Sequence, residues 1–439
     1  MTAPPAPGPL LVRDALLVTQ DPARRVVRGD LRVEGGTFSH VGPGAPRDGA
    51  EEIDGRRFAA VPGFVNAHTH VAMSVLRGIA DDRELAGFLE TLFRVDALRQ
   101  EADVEAAGRA GIAEMLLGGT TSFLDLYYFE DGVARAADAL GVRAFLGWAV
   151  LDADKTTQHG RPLENARGFI DRWKGHPLVT PLVAPQGVYV CDRETWLGAR
   201  ELAEGTTGLC HFHLSETRRE VHEHEAKTGR RPVDWLEEIG FLGPGMVAAH
   251  TVWITGGEIR TLAHRHVGIA HCPSSNLKLA SGGVAPVVEL REAGAVVGLG
   301  TDSVASNNSL SMFREMHLAG LVHKNQRWDA GVLPAQQLLD LATIDGARLL
   351  GRADRIGSLE VGKQADFSLV RLDHPTLLPA RPGALVSHLA YSAEPEAVDS
   401  VYVAGRPVVR GRRLVRADWD EIRRAAEQAA DRLWAPPPK

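Results

Sequence analysis

Two histidines one residue apart close an apolar run, Pro62-Gly-Phe-Val-Asn-Ala-His68-Thr-His70. On a strand, side chains two positions apart project from one face, so both imidazoles would point the same way. Neutral imidazole is a good ligand for Zn²⁺ or Fe²⁺, yet a lone His-x-His pair is as readily a packing or surface feature. A second run ends His211-Phe-His213-Leu-Ser-Glu216-Thr217. Here His213 is the better-placed ligand, and Glu216 stands where a carboxyl group could move protons beside a metal. The plainer alternative for Glu216 is an acidic residue in the first turn of a helix. Three further runs end Ala248-Ala-His250-Thr-Val-Trp253, His271-Cys-Pro-Ser-Ser-Asn276 and Gly298-Leu-Gly-Thr-Asp302-Ser303. By itself Asp302 reads as a helix cap.

What would bring these residues together is the alternation of strands and helices. Apolar or β-branched runs occur at 59–65, 121–126, 143–150, 179–184, 209–214, 246–250, 267–270 and 295–299. The stretches between them carry Ala, Leu, Glu and Arg at helical spacing, as in 101–117 and 193–203. Eight strands, each followed by helical sequence, predict an α/β fold with a (β/α)₈ TIM-type barrel. A doubly wound sheet would carry a Gly-rich phosphate turn after the first strand, and none is there. In a barrel the chemistry sits at the C-terminal ends of the strands. His68, His70, His213, Glu216, His250 and Asp302 all fall at such ends, on strands one, five, six and eight. Both chain termini carry short strand-like stretches, 10–19 and 31–34 at one end and 367–372, 401–403 and 407–409 at the other. Neither holds a core alone, which predicts one small β-sandwich built from both ends. The expected division is 1–58 and 353–439 for the sandwich and 59–352 for the barrel. An amphipathic helix over 419–434, stopped by Pro436-Pro437-Pro438, would close the chain.

The chain resembles the amidohydrolase superfamily, and within it the branch of methylthioadenosine/S-adenosylhomocysteine deaminases and chlorohydrolase-type enzymes. Matching stretches lie at 62–70, 213–217, 249–253, 271–286, 299–308 and 347–366, and the similarity runs over almost the whole chain. The resemblance implies a metal held by His68, His70, His213 and Asp302, with one position left for water whose pKa the metal lowers towards neutrality. It implies further that Asp302 takes the water's proton, that His250 orients the nucleophile, and that Glu216 protonates a substrate ring nitrogen. Binuclear members use a carboxylated lysine on strand four. Residues 179–189 contain none, so one divalent metal ion per chain is expected, zinc ahead of iron.

The expected reaction is hydrolytic deamination of an aminated nitrogen heterocycle. Purine or nucleoside-like substrates such as methylthioadenosine or S-adenosylhomocysteine fit the resemblance, as do pyrimidines and triazines. The alternatives are displacement of chloride or alkylamine from a similar ring and, in another class, a catalytically silent barrel acting as a binding protein. Substrate contacts depart from the family pattern. Phe88-Leu89 stands for a Trp-Leu pair, Asp96 or Ala97 for a ribose-binding glutamate, Gln186 for a histidine on strand four and Trp148 for an arginine on strand three. Arg161 matches. The expected substrate contacts are Phe88, Trp148, Arg161, Gln186 and Trp253. Among the other histidines, His222 and His224 are expected in solvent, and His264 and His266 at helix ends. His211 is expected in packing, with a place behind the metal as its alternative, and His271 in the pocket wall.

Composition narrows the setting. A net charge of -7 with scattered basic residues argues against a nucleic-acid partner. Three cysteines with no CxxC pair do not form a disulfide framework and point to a reducing cytoplasm. The Pro/Ala-rich start does not read as a signal peptide, and no apolar run is long enough to span a bilayer, so no membrane partner is expected. The expected partner is a small heterocyclic substrate. Homo-oligomerisation is left open.

Overall fold

Gly63 divides the run read as the first barrel strand, and the division separates two sheets. The computed structural model describes residues 8–157 and 160–434. Ahead of Gly63 come β1 (Leu10–Val18), β2 (Val26–Glu34), β3 (Thr37–Gly42), β4 (Glu51–Asp54) and β5 (Phe58–Pro62). Behind it come the eight barrel strands, β6 (Phe64–Thr69), β7 (Thr120–Tyr127), β8 (Arg143–Val150), β9 (Val179–Pro185), β10 (Cys210–Leu214), β11 (Met246–His250), β12 (Gly268–His271) and β13 (Val297–Leu299). The chain then returns to the first sheet with β14 (Phe367–Arg371), β15 (Val398–Val403), β16 (Arg406–Arg410) and β17 (Arg413–Leu414). A side chain at Gly63 would stand 2.0 Å from Thr121 Oγ1, so the passage between sheets runs where only glycine fits.

The two chain ends are joined by β5, which pairs antiparallel with β14 and parallel with β1. The terminal strands run in the order β17-β16-β15-β14-β5-β1-β2-β3, with β4 on β1. The assembly from both ends is as expected, but it is one continuous sheet that curls onto itself. Phe38 of β3 meets Phe367 of β14 with ring centroids 5.8 Å apart, although β5, β1 and β2 lie between those strands. The curl encloses Leu17, Leu31, Phe38, Phe367 and Tyr402. The opposite face, with Leu16, Val61 and Val370, joins the barrel's outer core, so alternate residues of these strands serve two cores.

In the barrel all neighbouring strands are parallel and in chain order. The eighth closes on the first: Asp302 N donates to His68 O at 2.9 Å, and Asn66 exchanges two hydrogen bonds with Thr301. Gly300 permits this approach, since a Cβ there would lie 2.8 Å from that of His68. The closure carries Asp302 to the side of His68 and His70. On β10 the alternation sorts side chains cleanly. Cys210, Phe212 and Leu214 face the outer core, where Phe212 meets Trp196 and Phe241, and His211 and His213 are left to face inward.

The helices over Glu101–Leu117 and Trp419–Trp434 form where helical spacing predicted them. The second closes on the barrel with Trp434 Nε1 donating to Val75 O at 2.9 Å. Its expected stop, residues 436–438, lies outside the described residues. Among the described residues no helix is long and apolar enough to cross a membrane.

Candidate metal centre and active site

Four side chains converge at the barrel mouth. His68 Nε2 and His70 Nε2 lie 3.3 and 3.2 Å from Asp302 Oδ1, and His213 Nε2 lies 3.3 Å from His70 Nε2. A tetrahedral site with ligand distances of about 2.0–2.1 Å has edges of about 3.3–3.4 Å, so these separations fit a metal such as zinc. His68 Nε2 is buried with no hydrogen-bond partner, an unusual state for a ring nitrogen unless its lone pair serves another purpose. Each ring is locked from behind. His70 Nδ1 donates to Leu126 O, and His213 Nδ1 donates to Gln186 O at 2.7 Å. His211 Nδ1 donates to Val247 O at 2.9 Å, which leaves its Nε2 to accept from His68 Nδ1 at 2.7 Å. His68, His70 and His213 therefore each turn a bare Nε2 to the centre.

Burial sets most of the protonation states. It pushes His68 and His213 down, the neighbouring imidazoles adding to the effect at His213, and holds His250 at about 3. Burial alone would raise Asp302, but its contacts with His68 and His70 outweigh it and keep the carboxyl well below its usual range. His70 moves up, because Asp302, Asp125 and the Leu126 carbonyl overcome its burial. An ionised carboxylate beside the uncharged imidazoles of His68 and His213 suits a divalent cation.

Glu216 behaves oppositely. Burial, then Asp302 and Glu220, push it well above the ordinary carboxyl value, which favours its neutral, proton-bearing form. Its Oε1 has no partner, and its Oε2 lies 3.8 Å from His250 Nε2. Glu220 fixes this loop by accepting from the Ser215 and Glu216 amides at 2.9 and 2.7 Å. Ser215, His250, Thr251 and Asp302 all have left-handed backbone, with φ of 50°, 75°, 48° and 57°. Such strain in non-glycine residues clusters at working sites.

The His271–Asn276 motif now acquires roles that sequence reasoning missed. Ser275 Oγ donates to Asp302 Oδ2 at 2.5 Å, joined by Ser306 Oγ at 3.2 Å. The Asn276 amide meets His250 Nδ1 at 3.1 Å. His271 does not line the cavity as expected; its Nε2 meets His323 Nε2 at 3.1 Å in the interior. His211 takes the alternative assignment, behind His68. His224, expected in solvent, is buried against Trp235.

Of the expected substrate contacts, Phe88 and Gln186 line the cavity with His70, His213, Glu216 and His250. Trp148 does not. Strand alternation turns it outward onto Phe169, with centroids 5.7 Å apart, and its neighbour Ala149 faces the cavity. Arg161 is an exposed residue ahead of the helix Pro162–Trp173, paired with Glu164 and away from the cavity. Trp253 lies in an outer recess. Asp96, one of the two residues read in place of a ribose-binding glutamate, does line the cavity. It accepts from Tyr127 Oη at 2.6 Å and Arg99 Nε at 3.0 Å.

Residues 59–408 match the model of the amidohydrolase family. A 5-methylthioadenosine/S-adenosylhomocysteine deaminase of Desulforudis audaxviator is 40% identical over 97% of this chain and 99% of its own. The chain belongs to the amidohydrolase family. Among solved structures, this amidohydrolase superposes on an adenosine deaminase from Xanthomonas campestris with bound zinc, at a TM-score of 0.92 and 35% identity over 98% of this chain and 100% of that one. It also superposes on a zinc complex of an atrazine chlorohydrolase from Arthrobacter aurescens TC1, at a TM-score of 0.89 and 26% identity over 96% and 100% of the two chains.

Proposed function

We propose that this amidohydrolase is a zinc-dependent deaminase of 5′-modified adenosines, in which one water replaces the ring amine and ammonia leaves. The observation that carries this reading is the pairing, in one cavity, of the histidine–Asp302 cluster with the buried, protonated Glu216. His68, His70, His213 and Asp302 would hold one zinc ion, which when bound would acidify a water towards neutrality. Strand β9 offers no lysine for a second ion. Asp302, ionised and steadied by Ser275 and Ser306, takes the proton of the attacking water. His250, uncharged and held by Asn276, orients that water. Glu216 gives its proton to the ring nitrogen beside the attacked carbon, the amine departs as ammonia after accepting the proton held at Asp302, and the proton of the new hydroxyl returns to Glu216 as the ring carbonyl forms.

Leu85, Phe88, Leu89 and Leu92, on the helix Leu85–Asp96, line the cavity beside the cluster. Asp96 offers a carboxylate to the sugar hydroxyls. The three cysteines are free and buried, which supports a reducing, cytoplasmic setting.

The test is a panel of adenosine, methylthioadenosine, 5′-deoxyadenosine and S-adenosylhomocysteine with aminated and chlorinated triazines, scored for ammonia and halide on zinc-loaded protein. Ammonia from adenosine derivatives supports the reading. Halide without ammonia would replace it with displacement chemistry, and no turnover together with no zinc binding would leave a binding protein.

A further inference from the structure

Two short helices follow the last barrel strands, Pro273–Lys278 after β12 and Val304–Asn307 after β13. Each carries a serine that reaches Asp302 Oδ2, Ser275 on the first and Ser306 on the second, and the two hydroxyls lie 2.9 Å apart. The residue beside each serine is tied to one other side chain. Ser274 N donates to Glu315 Oε2 at 3.3 Å, and Asn307 Nδ2 donates to Glu315 Oε1 at 2.7 Å. Asn307 Nδ2 also donates to Thr301 O at 2.6 Å, immediately ahead of Asp302. Glu315 lies in the first turn of the helix Met312–Arg327 and is fully buried. An acidic residue would serve that helix's dipole as well from the surface. Its start is already capped by Ser311, whose hydroxyl accepts from Arg314 N. A buried carboxyl is costly, and among the described residues both oxygens of this one bond to the two loops and neither to its own helix. On the same helix His323 Nε2 meets His271 Nε2 at 3.1 Å at the end of β12, so the helix holds that turn at two points.

We infer that Glu315 is a positioning residue for the hydrolytic step. By tying Ser274 to Asn307 it holds Ser275 and Ser306 together against Asp302 Oδ2, and so aims the carboxylate that takes the water's proton. The inference rests on the deaminase reading and deepens it. Glu315 does not line the cavity, so its effect falls on proton transfer and not on substrate binding. Without the tie the two short helices are free to part, and Asp302 can turn away from the geometry its proton transfer needs.

Steady-state ammonia release from methylthioadenosine on zinc-loaded protein tests this. Glu315→Gln keeps the volume but turns an amide nitrogen, which cannot accept, towards one of the two donors. It should lower kcat by about 10–100-fold, the usual worth of a supporting contact, with KM within about twofold of wild type. Asn307→Ala, which breaks the tie from the other helix, should do the same. The deciding readout is non-additivity. In a Ser275→Ala/Ser306→Ala background, where the hydroxyl bridges to Asp302 are gone, Glu315→Gln should cost less than about threefold, whereas a merely structural role would lower the rate equally in both backgrounds. Hydrogen exchange in the metal-free Glu315→Gln protein should quicken in peptides spanning residues 273–278 and 304–307. A kcat near wild type in Glu315→Gln, losses that simply multiply between backgrounds, or unchanged exchange would overturn the role while leaving the deaminase reading intact. A wild type that releases no ammonia would overturn that reading and the role with it.

Discussion

Replacing His211 by phenylalanine probes how the metal centre is held without touching a proposed ligand. The wild-type ring is fully buried and makes two hydrogen bonds, donating to Val247 O and accepting from His68 Nδ1. Phenylalanine keeps an aromatic ring of similar size and removes both. His68 then carries a buried Nδ1–H without an acceptor and is free to change tautomer or tilt, so its Nε2 is no longer fixed on the centre. Loss of such a supporting contact typically costs 10–100-fold in metal affinity. The two orphaned polar groups should also lower folding stability by about 2–5 kcal/mol. The assays are zinc competition against a chromophoric chelator and denaturant unfolding of the metal-free protein. His211→Gln, whose side-chain oxygen can accept from His68, should recover part of the affinity. A folded His211→Phe that binds zinc within about threefold of wild type would refute the argument that the ring behind His68 orients it.

Three other residues carry expected outcomes. Glu216→Gln should bind zinc normally but lose about 10²–10⁴ in kcat, because it removes the acid and not a ligand. Wild-type turnover should also fall as pH rises through the elevated Glu216 value, and rate profiles with zinc analysis check both. Burial lifts Glu315 from 4.5 to about 7 despite its bonds to Ser274 and Asn307. The folded protein thus keeps a proton that the unfolded chain releases. This stability is full below pH 4.5 and is lost as pH rises through about 7, worth about 3 kcal/mol. Glu315→Gln should flatten that dependence in unfolding curves of metal-free protein from pH 5 to 9. Trp148→Ala should cost about 3–5 kcal/mol of stability and Trp148→Phe much less. KM should hold in the phenylalanine variant, since Trp148 packs on Phe169 outside the cavity.

The residues that converge on the centre were legible because they terminate apolar runs, and a barrel gathers strand ends at one face. The period of two put His68 and His70 on one face, and the same rule applied to β8 would have turned Trp148 outward. Reading it as a substrate contact followed position in a motif and not the strand's alternation. Gly63 hid a sheet boundary inside one apolar run, because a close approach to Thr121 leaves no mark in local composition. His211, His224 and Ser275 were misjudged or passed over because their partners, His68, Trp235 and Asp302, lie far away in sequence. Asp96 was noted only as the absence of a glutamate, yet its carboxylate reaches the cavity wall.

The most direct measurement titrates metal-free protein with zinc while following ammonia release from S-adenosylhomocysteine. Activity should be absent without metal, rise linearly and reach a plateau at one equivalent per chain. Ammonia release without metal, or a break at two equivalents, would contradict a single ion held by His68, His70, His213 and Asp302.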